Sequence, residues 1–314
     1  MQREGSPWQG LGVVISKELA DQVTSIRMFV LELLVVLVAI VTVSFATEQV
    51  KQTTAEDPFL LLRLFTTSQD PIPSFFTFLS LLLPLIAIAL GFDSVNSEHS
   101  RRTLSRILAQ PIYRDALLFG KFIAGLITIS ISLVVLWLLV IGLGLLQLGV
   151  PPSFDEVARA FIFLLVAIAY AGVWLALALL FSIVFRSAAT AALVTLGLWF
   201  LFTLIWPLIA PRIALSLVQS DDLNTLVFAA QTAARLSPVT LFNEASSLIL
   251  DPSARTLGPI YLYLPQLQGA VLGAPLPIDQ SLLIVWPQIV GLIAGSILLF
   301  VIGYIVFQRQ EVRA

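Results

Sequence analysis

Of the 314 residues, 58% are hydrophobic and only 11% charged, with a formal net charge of −2. So little charged surface cannot clothe a chain of this size in water, which excludes a soluble globular domain and requires lipid to cover part of it. The near-neutral balance gives no reason to expect nucleic acid as a partner, and the absence of cysteine excludes disulfides, thiol catalysis and cysteine metal sites.

Residues 1–21 mix charge, glycine and proline, with no short apolar run ending in a small-residue cleavage site. The first long apolar run is therefore expected to stay as a span. Just before it, Leu11, Ile15, Leu19, Val23 and Ile26 recur every four or three residues, with Lys17, Glu18, Asp21 and Gln22 on the other face. That pattern fits an amphipathic helix at the membrane interface; a helix packed on protein would carry the same stripe.

Six apolar stretches follow, at about 28–46, 75–92, 116–148, 160–185, 188–209 and 281–307. A bilayer core of ~30 Å needs ~20 helical residues, and backbone groups in lipid must be satisfied within the segment, so these are read as membrane-crossing helices. The third is longer than one crossing needs; a bend at Gly142 and Gly144, a tilt, or projection beyond the bilayer accommodates the excess. With the N-terminus inside, Arg3, Lys17, Arg27, Arg101, Arg102, Arg106, Arg114, Lys121, Arg186, Arg309 and Arg313 are cytoplasmic, against Lys51, Arg63 and Arg159 in short outer loops. This bias places both termini in the cytoplasm.

The outer segment, residues 210–280, precedes the last span. Ser237-Pro238 reads as a helix N-cap and first position, Val239 to Leu250 continues the helix, and Asp251-Pro252 stops it. Residues 258–277, rich in Pro, Gly, Leu and Tyr, read as irregular structure. The segment is either a lid or a substrate gate.

The most informative stretch is the turn after the second span, residues 93–114. It holds the only dense charge cluster of the chain, between two strongly apolar spans. Leu104, Ile107 and Leu108 fall on one helical face, surrounded by Arg101, Arg102 and Arg106, and Pro111 ends the helix before Arg114-Asp115. A short helix that is apolar on one side and basic on the other suits docking of a cytoplasmic protein; a topology anchor needs the arginines alone.

Glu98, Thr103-Leu104, Ile107-Leu108, Pro111, Arg114 and Gly120-Lys121 stand in an order and spacing that resembles type-2 ATP-binding-cassette (ABC) permeases, including the nitrous-oxide-reductase accessory permease group. The interfacial helix resembles the family's elbow helix, and Leu236-Ser237-Pro238 with Leu241 to Ala245 is similar to its outer segment, so the likeness covers nearly the whole chain. Arg102 departs from the family, which usually has glycine there.

The resemblance implies an all-α, six-span permease domain over residues 1–314. Its parts are an elbow helix in 1–27, spans one to five in 28–209, an extracytoplasmic segment at 210–280, and the sixth span with its tail in 281–314. It further implies a dimer, formed with a second copy or a similar permease, coupled to two ABC ATPase subunits through a cytoplasmic coupling helix. The coupling residues are then Glu98, Arg101, Arg102, Thr103, Leu104, Ile107, Leu108, Pro111 and Arg114. The chain agrees from its own side: no G-x-x-x-x-G-K-[ST] phosphate loop occurs, because Gly120-Lys121 is followed by Phe122. ATP and Mg2+ are expected on the partner subunits, with no cofactor on this chain.

Ionisable residues deep in a span mark ion or proton paths, and this chain has almost none. Glu32, one turn inside the first span, reads as a snorkelling or Arg27-paired carboxylate, or as part of a cytoplasmic gate. His99 is the only histidine and lies in the turn, so metal transport has no ligand cluster to support it. Trp199, Phe202 and Trp206 form either an aromatic belt or the wall of an apolar route, and Pro84, Pro207 and Pro287 are candidate kinks. The reading is an exporter subunit in the cell membrane; the rivals are an ion-coupled secondary carrier and a non-transporting scaffold.

Overall fold

The structure is a computed structural model that describes residues 8, 10–52, 59–68, 71–100, 114–218, 223–254 and 275–310. Among these, every regular element is a helix. In order they are α1 (Leu11–Val23), α2 (Ile26–Gln52), α3 (Leu60–Thr66), α4 (Phe75–Gly91), α5 (Asn96–Ser100), α6 (Arg114–Leu148), α7 (Phe154–Val184) and α8 (Ala188–Phe200). A π-helical turn (Leu201–Ile205) then leads into α9 (Trp206–Leu217), followed by α10 (Leu223–Ala234), α11 (Pro238–Leu250) and α12 (Ile278–Arg309). Six stretches are long and apolar enough to cross a membrane: Ile26–Lys51, Phe75–Glu98, Arg114–Leu148, Phe154–Val184, Ala188–Leu217 and Ile278–Arg309. The chain is an all-α, multi-pass membrane protein.

The bundle is built around α7, whose most apolar window is 78% buried, against 28% for the first and third spans and 6% for the fifth. It packs against α4, α6, α11 and α12. Its small residues explain the central place: Ala167, Ala171, Ala176 and Ala178 are fully buried, and lipid-embedded helices associate where small side chains let backbones approach. The α4 crossing is the closest. A Cβ on Gly91 would lie 2.7 Å from the Ala178 Cβ and 3.3 Å from both the Leu175 carbonyl and the Leu179 nitrogen. Neither a methyl on a backbone nor the backbone itself can swing aside. Gly91→Ala is therefore expected to cost about 1–3 kcal/mol, the usual penalty for overpacking, measurable as a lower melting temperature of the purified protein.

Continuous α6 runs 35 residues, about 50 Å at 1.5 Å per residue. The helix continues through both glycines: Gly142 has open space around it, and Gly144 receives Leu64 and Leu61 of α3, which a Cβ would meet at 2.7 and 3.1 Å.

The fifth span continues to Leu217, beyond the expected end at 209, despite Pro207 and Pro211. Proline offers no N–H to the carbonyl four residues earlier and crowds it. Here the helix widens into the π turn at Leu201–Ile205, where the Trp206 N–H reaches back five residues to the Leu201 carbonyl; in that register the carbonyl left by Pro207 is that of Phe202, which accepts from the Ser237 hydroxyl at 3.3 Å.

That same Ser237 caps α11 by accepting from the Thr240 N–H. Pro238 opens this helix, and Asp251 closes it as the sequence indicates. Phe242 of α11 stacks on Tyr170 of α7, with ring centroids 4.4 Å apart. Helices α3 and α10 were not indicated by the sequence. Most of the stretch expected to be irregular, 258–277, lies outside the described residues.

Candidate functional site

The site lies at the end of the bundle that carries α1, where α4 gives way to the turn before α6. The first residues of that turn are held from three sides. Ser182, near the end of α7, accepts from the Val95 and Asn96 N–H groups at 3.0 and 3.3 Å. Arg27 of α2 donates to Asp93 at 2.6 Å, its guanidinium carbon 5.5 Å from the Phe92 ring centre. Lys121 of α6 reaches Glu98 at 2.8 Å.

Lys121 is the centre of the arrangement. Its side chain is 2% exposed, and its ammonium lies 2.8 Å from both Glu98 and Glu18 of α1. Lys17 adds a second cation, 3.0 Å from Glu18, 3.9 Å from Glu98 and 3.1 Å from Asp21. Two lysines thus face Glu18 and Glu98: buried Lys121 pairs with both, and half-exposed Lys17 supplies the second positive charge from the rim, so the four charges balance, the condition under which charges tolerate burial. Burial alone would raise the pKa of the Glu18 carboxyl, but Lys121 and then Lys17 outweigh it and hold the group below its ordinary value. For Lys17 burial opposes the charge as well, and Glu18, Asp21 and Glu98 together raise it.

The line Val14–Glu18–Gln22, at a spacing of four, lays α1 on α6. Gly120 makes the approach possible: a Cβ there would stand 2.5 Å from a Val14 methyl. One turn beyond Ala124, Thr128 donates to the Gln22 side-chain carbonyl at 2.7 Å. So the residues expected to face water, Glu18 and Gln22, face protein. The apolar stripe lies to one side, with Leu11, Ile15 and Leu19 half-buried and Val23 and Ile26 exposed.

Glu98 and Lys121, the two ends of the sequence pattern, are therefore in direct contact. Arg114 donates to the Gln310 carbonyl at 3.0 Å. Arg101, Arg102, Thr103, Leu104, Ile107, Leu108 and Pro111 lie outside the described residues, as does the side chain of His99. Glu32 is half-buried and accepts from Ser132 of α6, while Arg27, weighed as its partner, is engaged by Asp93. Trp199, Phe202 and Trp206 are half-buried around the π turn, far along the chain from this cluster; the Phe202 and Trp206 rings stand 5.9 Å apart, and the Trp206 indole donates to the Ala233 carbonyl at 3.1 Å. Among the described residues no group of three His, Cys, Asp or Glu side chains is placed to hold a metal.

On the sequence Lys121 is one more positive residue on its side of the membrane and the last position of the family pattern, with no partner assigned to it. The available signal was its position inside an apolar helix, where an unpaired ammonium is too costly to keep. At the opposite end of the bundle Arg159 was likewise placed in a loop. It stands inside α7, is fully buried, and donates to Asp155, to the Ile249 and Leu276 carbonyls and to Ser281.

The geometry is that of a multi-pass helical membrane protein whose turn after the second span starts on a buried ion cluster. Residues 13–312 match the family described as ABC-2 family transporter protein, and the chain belongs to that family. It is the permease subunit of an ABC transporter, not itself the ATPase, and the family implies ATPase partner subunits. The "Probable ABC transporter permease protein NosY" of Stutzerimonas stutzeri is 27% identical over 253 residues, covering 78% of this chain and 82% of that protein. The protein of the same name in Pseudomonas aeruginosa is 32% identical over 151 residues, 46% of this chain and 52% of that one.

Proposed function

We propose that this permease is the membrane-embedded half of an ATP-driven exporter of the cell membrane. Residues 1–314 form one permease domain, both termini are cytoplasmic, and the chain acts as a dimer with a second copy or a similar permease. Two separate ATPase subunits, which bind ATP and Mg2+, engage the turn at residues 93–114. The outer segment covers the far end, and Glu32, Trp199, Phe202 and Trp206 belong to the gate and pathway.

The observation that supports coupling most directly is the Glu18–Lys121–Glu98 contact. A turn meant to receive force needs a base that does not yield. Here the base is a dry ion cluster joining α1, α5 and α6, with Arg27–Asp93 adding α2 and Ser182 adding α7. Displacing the turn then moves several helices together, because densely packed elements shift as units.

The test is made in a reconstituted complex of the permease with its ATPase subunits. Changing Leu104, Ile107 and Leu108 to Ser removes the apolar face, and three lost interface anchors are expected to weaken ATPase binding by at least about 100-fold. Membrane insertion should be unaffected. Permease-dependent ATPase activity equal to wild type would refute the reading, and transport that runs on an ion gradient without ATP would replace it with a secondary carrier.

A further inference from the structure

The α4–α6 turn is tied to a further helix, the last one. Asp115 is the second residue of α6, directly after the turn. Its Oδ1 accepts from the Tyr304 hydroxyl at 3.0 Å and from the Gln308 amide. Tyr304 and Gln308 are four apart and therefore share one face of α12. Arg114, the neighbour of Asp115, donates to the Gln310 carbonyl at 3.0 Å, and the Gln310 amide donates to the Ile183 carbonyl at 2.8 Å, capping the end of α7. The last turn of α12 thus bridges the start of α6 and the end of α7.

The opposite end of α12 is also held by polar contacts. Ser281 accepts from Arg159 of α7 at 3.2 Å. Gln288 donates at 2.8 Å to Glu244 of α11, a carboxylate that Arg235 also pairs with at 2.8 Å. Between the two ends α12 runs unbroken through Pro287 for 32 residues, lies along α7, and exposes Leu283, Ile297, Leu298 and Val301. A helix with an apolar flank moves against lipid tails without separating polar pairs, while a bonded end must move with its partner.

We infer that α12 is a transmission strut of the transporter: it carries displacement of the 93–114 turn to α11 and the outer segment, and Asp115, Tyr304 and Gln308 are the positioning contacts at its driven end. This rests on the coupling reading above. It adds a route to the far end that does not run through the second and third spans.

The chain contains no cysteine, so pairs of spin labels can be introduced cleanly into the full complex in nanodiscs. One pair reports the turn, at Ser16 and Ser105; the other reports the far end, at the exposed Leu236 and Leu283. Distances are compared without nucleotide and after trapping with ATP and vanadate. In the otherwise unaltered permease both distances are expected to shift. In Tyr304→Phe/Gln308→Leu the turn pair should still shift while the far-end pair loses its shift, and Asp115→Asn, which keeps an acceptor oxygen, should retain it. A loss of structure alone would not spare the turn pair or be relieved by the conservative change. A far-end shift in the double variant equal to that of the parent overturns the inference. Should the double variant fail to fold, Tyr304→Phe alone is read against Asp115→Asn by the same criterion. No shift of the turn pair in the parent overturns the coupling reading itself, and this inference with it.

Discussion

Lys121→Met is expected to destabilise the protein by about 3–5 kcal/mol, the usual cost of removing one partner from a buried ion pair. Methionine fills nearly the same volume, so the loss is electrostatic rather than a cavity. It leaves Glu18 and Glu98, both nearly buried, facing each other without the ammonium that sits 2.8 Å from each. Lys17 is half in water, and an exposed cation screens weakly. Neutralising the survivors should recover much of the stability: Lys121→Met/Glu18→Gln/Glu98→Gln is expected to melt well above the single variant. Thermal unfolding of the purified proteins measures both. A single variant as stable as its parent would show that the cluster contributes nothing to holding α1 on α6.

The same cluster sets an acid limit. The Glu18 pKa is depressed in the folded protein, because Lys121 and Lys17 outweigh its burial. A depressed acid contributes stability that is complete above its unfolded pKa of ~4.3 and is lost as pH falls through the lower folded value. Lys17 is raised, so its contribution is complete below ~10.4 and is lost only as pH rises through its higher folded value. The contributions of Glu18 and Lys17 are therefore both intact throughout the neutral range. Melting temperature followed below pH 4 should fall more steeply for the parent than for the triple variant, which has no carboxylate left at these positions.

The spans were legible in the sequence because lipid imposes a length and a composition on each of them. The bounds of α11 were legible too, since Ser237-Pro238 and Asp251-Pro252 act through local backbone chemistry. What stayed hidden depends on partners distant in the chain. Lys121 meets Glu18 across 103 residues; its place inside an apolar helix calls for a partner, but nothing local says which residue that is. Periodicity found the apolar stripe of α1 but not the line that packs, because Gly120 opens the contact beside the stripe, where Val14 fits and Glu18 follows. Pro207 was legible as a disturbance. Its resolution as a π turn is met by Ser237, the N-cap of another helix, which donates its hydroxyl to the freed Phe202 carbonyl. Helix α3 is seven residues long, too short for any period to register; it forms because Leu61, Leu62, Leu64 and Phe65 are buried and because the Glu156 carboxylate accepts its Leu61 N–H at 2.7 Å.

At the far end the corresponding expectation concerns Arg159, and it separates geometry from charge. Its guanidinium is fully buried and fans out to four acceptors on three stretches of chain: Asp155 of α7 itself at 2.7 Å, the Ile249 carbonyl of α11 at 3.2 Å, and Ser281 at 3.2 Å and the Leu276 carbonyl on α12 and its lead-in. The Ile249 carbonyl belongs to the last turn of α11, where helix carbonyls lack intrahelical partners, and Leu276 leads into α12. A planar fork satisfies several acceptors at fixed angles, whereas an ammonium is a single point on a flexible stem. Arg159→Met should therefore cost about 3–5 kcal/mol, since it leaves the buried Ile249 carbonyl and Ser281 hydroxyl without their donor and Asp155 without its cation, and Arg159→Lys should recover only part of that although it restores the charge. The lesion should also be local. Limited proteolysis is expected to cut the outer segment of both variants faster, while the Lys121 cluster at the opposite end keeps α1 in place. If Arg159→Lys matches its parent in both melting and proteolysis, charge alone is what the site requires, and the outer segment is held by something other than this fork.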